Sequence, residues 1–167
     1  ATALGNLYQL NTRARSLKVA NDSAKKALEQ FELAYNLSSS YAKVHVLQYL
    51  AKAAYAAKDF TKAKKYSEEM LSGGGSALNV HVGNIILGLI AIADKDVEEA
   101  KSRLLQAGKI PGSPNLNASG PNMSLAKSLL QQGEKEVVLE YFDLCSKFWN
   151  LGKKSLESWS VQVKDGQ

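Results

Sequence analysis

Two histidines and one cysteine, His45, His81 and Cys145, are the side chains of this sequence best suited to metal or nucleophilic chemistry. A structural metal site needs three or four ligands brought together. Neither histidine has an Asp or Glu within one helical turn on either side, so no ligand set forms around them. A single cysteine excludes an internal disulfide framework and any Cys-rich zinc site. Cys145 falls in phase with Met70 and Ala107, both apolar, so it reads as a small buried hydrophobe rather than a nucleophile. No Gly-x-Ser-x-Gly or His-Glu-x-x-His motif is present, and "SGGGS", Ser72 to Ser76, lacks the Lys-Ser/Thr ending of a phosphate loop. Asn-x-Ser triplets begin at Asn21, Asn36, Asn117 and Asn122 and matter only in a glycosylating pathway. The expectation is a chain that is not an enzyme, with no catalytic residue, metal or cofactor.

The elements that would carry these residues are helical. The chain has 167 residues, rich in Ala, Leu, Lys, Glu and Gln, and its three prolines all lie between Pro111 and Pro121. The most apolar stretch, "VHVGNIILGLIAIA" from Val80 to Ala93, is 14 residues long and contains His81 and Asn84, too short and polar to cross a bilayer. No signal-peptide pattern is present, but the chain opens at Ala1 without methionine, so cytoplasmic, periplasmic and secreted locations stay open. The net charge of +5 is uneven: eleven Lys/Arg oppose four Asp/Glu through Ser67, and ten oppose twelve from Glu68 onward. A basic N-terminal part fits an anionic partner, or simply solubility.

One figure is written twice. "DFTKAKKYSEEM", Asp59 to Met70, returns thirty-seven residues later as "DVEEAKSRLLQA", Asp96 to Ala107. Upstream, Leu47, Leu50, Ala51 and Ala54 align with Asn84, Leu87, Gly88 and Ala91. Each unit is two apolar-periodic segments joined by a short charged turn, which makes antiparallel helices. Ala51 and Gly88 permit close approach in the first helix, and Ala63 and Ala100 in the second. A lone hairpin cannot bury such a face, whereas stacked hairpins can. Weaker copies flank the pair, around Ala27, Phe31 and Ala34 upstream and around Leu125, Ala126, Leu129, Val138, Phe142 and Cys145 downstream. The expected organisation is one domain, 1–167, with units at about 4–38, 43–72, 80–110 and 121–149 and a capping helix at 153–163. In the first unit, Leu4 to Ala20 would be the first helix.

On Leu87-Gly88, Ala91, Ala100, Leu104, Ala107 and the closing Pro111 and Pro114, the chain resembles the tetratricopeptide repeat family. The family's large aromatic near the start of the first helix is replaced by Leu47 and Asn84, and its mid-helix tyrosine by Ala54 and Ala91. The resemblance implies an all-α fold, a right-handed α-α superhelix of about four helical hairpins plus a C-terminal capping helix. It also implies that first helices line a concave groove for an extended peptide or partner helix. Carried onto the best units, that groove presents His45, Gln48, Lys52 and Tyr55, then Val82, Ile85, Leu89 and Ile92. The family's carboxylate clamp is not expected, because its positions read Thr12, Ser16, Tyr49, Val82 and Ile86.

The expected function is therefore a protein–protein interaction module for a peptide with apolar anchors and acidic or carbonyl groups. The alternative is binding of nucleic acid or another polyanion through Arg13, Arg15, Lys18, Lys25 and Lys26, with Lys62, Lys64 and Lys65 as a second group. Few aromatics interleave with those cations as stacking platforms. Helix 80–93 is apolar on all sides and must be covered. The loop from Gly108 to Pro121, a partner, or a second copy in a homodimer could each cover it.

Overall fold

A computed structural model describes residues 3–73 and 75–166, with side chains from residue 18 onward. The described residues are helical, with no strand among them: α1 Ala3–Leu37, α2 Ser40–Ala56, α3 Phe60–Ser72, α4 Ala77–Ala93, α5 Val97–Gly108, α6 Pro114–Ser119, α7 Ser124–Gln131, α8 Lys135–Ser146 and α9 Lys153–Lys164. A 3-10 turn, Asn150–Gly152, precedes α9. Successive helices pack as neighbours, α2 on α3, α4 on α5 and α7 on α8, and α5 also packs on α8.

The helix starts follow from capping chemistry. The side chains of Ser39, Asp59, Ser76, Asp96 and Ser113 each accept a hydrogen bond from the backbone N–H three residues on, satisfying a donor that the helix leaves free. The turns inside the hairpins are copies of one another. Lys58 (φ 60°), Lys95 (φ 63°) and Gly133 (φ 87°) adopt the left-handed conformation, at steps of 37 and 38 residues. Each is followed by an acidic residue, Asp59, Asp96 or Glu134, whose N–H donates to the carbonyl five residues back, Ala54, Ala91 or Leu129, at 2.8–3.0 Å. The repeat thus extends to backbone dihedrals and hydrogen bonds. Side-chain register follows: Leu50, Leu87 and Leu125 are buried, as are Ala63, Ala100 and Val138, and Met70, Ala107 and Cys145.

The first expected unit is different. A break was expected between Ala20 and Ser23, but α1 runs unbroken from Ala3 to Leu37. Asn21, Asp22 and Ser23 are helix-start residues, yet no glycine or proline stands beside them, and Ala20, Ala24, Lys25 and Lys26 favour helix on both sides. Three hairpins are therefore flanked by single helices, α1 before them and α9 after. The second half of α1 packs Leu28, Phe31 and Tyr35 against the α2/α3 core, with Phe31 stacked on Tyr49 at 5.5 Å. Polar contacts reinforce it: Tyr66 donates to Glu32 at 2.8 Å, Lys62 pairs with Glu32 at 2.8 Å, and Tyr35 donates to Glu69. The hydrogen bond from Lys62 holds the Glu32 carboxyl below its ordinary range, and the Glu69 carboxylate, aided by burial, pushes the Tyr35 phenol up to about 12.

The segment expected as a long loop, Gly108 to Pro121, contains α6, started by the Ser113 cap with Pro114 in the first turn. Leu116 anchors α6 in the core, and Asn117 Oδ1 accepts from the N–H of Asn150 at 3.0 Å.

Lys58 and Lys95 pay a left-handed backbone cost that Gly133 avoids. Lys95→Gly is expected to stabilise by about 0.5–1 kcal/mol and raise Tm by about 1–4 °C for a chain of this size, while Lys95→Val lowers Tm. Thermal unfolding checks this, and a lower Tm for Lys95→Gly would count against the left-handed turn.

Candidate peptide groove

The residues expected on α2 form one side of a surface. His45 and Lys52 are exposed, and Gln48 and Tyr55 are half-buried. Tyr41 meets His45 edge-on at 5.3 Å, and Tyr55 leans on Phe60 at 5.5 Å.

The strip expected on α4 is not open. Val82 and Ile85 are 5% and 1% exposed and belong to the core, while Leu89 and Ile92 are half-buried against it. The cause is the position of α4, which packs on α2, α3, α5 and α7 at once. Its cover is the neighbouring hairpins themselves. The tightest contact involves Gly88, where an added Cβ would fall 2.2 Å from Cδ2 of Leu125 on α7.

The open apolar surface lies one step further along. Adding 38 residues carries Ile85, Leu89 and Ile92 onto Met123, Lys127 and Leu130. These three line one wall of a cleft of about 410 Å³ between α7 and α9. The facing wall is Trp159, Gln162 and Val163 of α9, with Phe142 of α8 at the base. Trp159 is held by tilted ring contacts to Phe142 and Trp149, each at 6.1 Å. The 38-residue step was visible in the sequence and would have found the α7 wall. The α9 wall was not, since α9 lies outside the repeat.

Carboxylates, though not cations, are sorted between the two layers of helices, the second helices also carrying Lys62, Lys64, Lys65, Lys101, Arg103 and Lys135. The first helices α2, α4 and α7 contain Lys43, Lys52 and Lys127 and no Asp or Glu. Second helices carry the carboxylates: Glu68 and Glu69 on α3, Glu98 and Glu99 on α5, and Glu136, Glu140 and Asp143 on α8. Lys43 lies over the Tyr35 ring at 4.9 Å, whereas Lys52 and Lys127 make no ion pair among the described residues. The side chains of Arg13 and Arg15, and of Thr12 and Ser16, lie outside the described residues.

His81 holds the structure together from inside. It is 1% exposed, its Nε2 accepts from the N–H of Asn122 at 2.9 Å, and its Nδ1 lies 2.9 Å from the carbonyl oxygen of Ala107. With Nε2 accepting, the proton must sit on Nδ1 and be donated to Ala107, which defines a neutral ring. Tyr141 donates to the Asn122 carbonyl at 2.9 Å, so α4, α5, α8 and the entry to α7 meet at one point. Burial holds the His81 pKa below its ordinary value, against the hydrogen bond to Ala107, and the nearby Lys52 cation adds to the lowering. Cys145, fully buried, has its thiol pushed up to about 12 by burial, and such a thiol is not a nucleophile. Among the described residues, no three His, Cys, Asp or Glu side chains cluster as a metal would need, and no helix is long and apolar enough to cross a membrane.

The His81 contribution has a definite sign with pH. Its folded pKa is depressed, so the unfolded chain takes up a proton that the folded chain refuses. Stability is full above the unfolded value of about 6.5 and falls as pH drops below it, by up to about 1.4 kcal/mol per pH unit. Urea midpoints at neutral and mildly acid pH should fall more for wild type than for His81→Gln. That variant itself should lose about 2–3 kcal/mol at neutral pH through two buried hydrogen bonds. Equal acid sensitivity of the two proteins would contradict the neutral ring. No family model, curated protein or solved structure matches the chain.

Proposed function

We propose that the chain is a non-enzymatic protein-interaction module, a right-handed stack of tetratricopeptide-like hairpins. On this reading its first-helix side holds a peptide or short helix with apolar anchors and acidic groups. The observation that carries the reading is an open apolar cleft beside first helices α2, α4 and α7, which carry lysines and no carboxylate. An apolar side chain entering the cleft between α7 and α9 would gain about 1.5–3 kcal/mol if fully buried. Lys127 at the rim and Lys52 further along would meet its carboxylates, favouring acidic partners in rate and orientation more than in raw affinity. His45, Gln48 and Tyr55 extend the polar part of the same surface, and Leu89 and Ile92 form its half-buried floor.

The hairpin repeats support the stack, because each unit carries an equivalent turn and buries equivalent positions. The apolar helix 80–93 is then an interior element of the stack, and the binding face lies over its edge and over α7.

Selection of random peptides against the wild-type protein should enrich Asp or Glu beside aliphatic or aromatic residues. Binding should quench or shift tryptophan fluorescence through Trp159, and Lys52→Glu combined with Lys127→Glu should weaken it by roughly tenfold, about 1.4 kcal/mol, with Tm unchanged. Enrichment of basic peptides, or affinity indifferent to both lysines, would overturn the assignment.

A further inference from the structure

Asn122 is gripped from two helices. Its N–H donates to His81 Nε2 of α4, and its carbonyl accepts from the Tyr141 hydroxyl of α8, each at 2.9 Å. The next residue, Met123, opens the α7 wall of the cleft that continues through Lys127 and Leu130. A buried histidine is therefore one peptide bond away from the candidate binding surface.

That grip stands where other helices have a cap. The starts of α2 to α6 are closed by a Ser or Asp side chain, whereas Met123 at the head of α7 makes no such bond. Only Asn122 Oδ1, accepting from the Ser124 N–H at 2.8 Å, serves the first turn locally. At 8 residues α7 is shorter than the roughly 12–15 at which an isolated helix becomes even marginally stable, so it relies on what holds it. The chain reaches it through Gly120, at φ 78°, and Pro121, with no helix running directly into it. Asn122 and Ser124 are exposed, so an entry released from His81 moves into water.

Protonation acts directly on the grip. In the neutral ring Nδ1 donates to the Ala107 carbonyl, so a second proton goes to Nε2. That turns the acceptor of the Asn122 N–H into a donor facing another donor. The bond to Ala107 survives, so the ring stays on α5 while the α7 entry loses its hold. No carboxylate among the described residues is placed to hold the charged ring. Helices α2 and α7 contain none. On α5, Glu98 and Glu99 are paired with Lys101 and Arg103. On α3, Glu68 lies with Lys64 and Asp94 toward the far end of α4, and Glu69 accepts from Tyr35. Glu136, Glu140 and Asp143 of α8 are exposed, and its buried Tyr141 and Cys145 are neutral groups. The nearby cations are Lys52 of α2, whose field opposes the second proton, and Lys109, two residues past Ala107.

We infer that His81 is a proton-operated latch on the α7–α9 cleft: neutral, it holds Asn122 and Met123 in the cleft wall, and protonated, it lets them go. The inference rests on reading that cleft as the binding site, and adds that proton and ligand compete. The freed ring regains its ordinary value of about 6.5, so the ratio of released to held entry should rise up to tenfold per pH unit below it.

Amide hydrogen exchange on the full chain reads the latch directly. Protection of the Asn122 N–H, relative to the free-chain rate at each pH, should fall about tenfold between pH 6 and pH 5. It should respond less to urea than the Leu50 and Ile86 amides, which lie in the core. In His81→Gln the Asn122 protection should be lower at pH 7 and nearly flat with pH. Tyr141→Phe, which leaves His81 in place, should lower it while keeping the wild-type pH slope. If His81→Gln does not fold, the wild-type and Tyr141→Phe profiles decide. A flat wild-type profile overturns the latch, and so does exchange of Asn122 only together with Leu50 and Ile86. An acidic–apolar peptide from the selection above, at a hundred times its Kd, should raise Asn122 protection about a hundredfold. A bound peptide that leaves Asn122 unchanged overturns the coupling to the cleft. Absence of any binding peptide at pH 7 would remove the binding-site reading instead, and the pH profile would still decide the latch.

Discussion

The structure depends on the burial of α4. This helix has almost no polar face, and it is shared between two cores: Val82, Ile86 and Ile90 enter the core built with α1, α2 and α3, and Ile85 and Ala91 enter the one built with α5, α7, α8 and α9. A helix buried on all sides can join two halves of a molecule only if its polar atoms find partners inside. Asn79 donates to the Val44 carbonyl of α2 at 3.2 Å, Asn84 accepts from Arg103 of α5 at 3.2 Å, and His81 ties in α5 and the entry to α7. The polar residues of α4 thus fasten it to α2, to α5 and to the entry of α7. The apolar residues supply the driving force, and the polar ones select the register.

Close approach supplies the other half of that arrangement. Gly83 sits where a Cβ would stand 3.2 Å from the Ser67 carbonyl of α3, and Gly88 faces Leu125 and Arg103. Side chains as small as hydrogen let α3, α5 and α7 all reach α4 within van der Waals contact. The same step occurs at Gly108, where an added Cβ would fall 2.9 Å from Leu144 of α8. One hairpin is thereby locked to the next at Gly83, Gly88 and Gly108.

Much of this was legible in the sequence, and the failures have causes. The turns at Lys58, Lys95 and Gly133 announced themselves by an acidic residue after a helix-ending residue, and the paired positions 50, 87 and 125 followed from the step. Val82 and Ile85 were misplaced because an all-apolar helix carries no periodicity to say which face is covered. Placing them in a groove rested on the resemblance, whereas their burial depends on how near α7 comes. The continuity of α1 was missed because Asn21-Asp22-Ser23 has the composition of a helix start without the glycine or left-handed residue that ends the helix before it. The cleft between α7 and α9 was half legible: Met123, Lys127 and Leu130 lie on the repeat, but Trp159, Gln162 and Val163 come from a helix with no counterpart in it.

Unequal ends follow from the same logic. A stack of hairpins leaves an apolar face at each end, and each must be closed by something that is not another hairpin. At the C-terminal end α9 closes it with Leu156 and Val163 buried, but α9 is amphipathic and its Trp159 bridges to Trp149, so it stands off α7 far enough to leave a cleft. At the N-terminal end the second half of α1 closes the stack with Leu28 buried and Phe31 and Tyr35 half-buried. Closure there is made by the α1 residues from Ala24 to Tyr35. Both ends are capped, and the C-terminal cap leaves an apolar cleft beyond what capping requires. Closing elements face neighbours on one side only, so they are free to carry sequence that the repeat itself does not constrain.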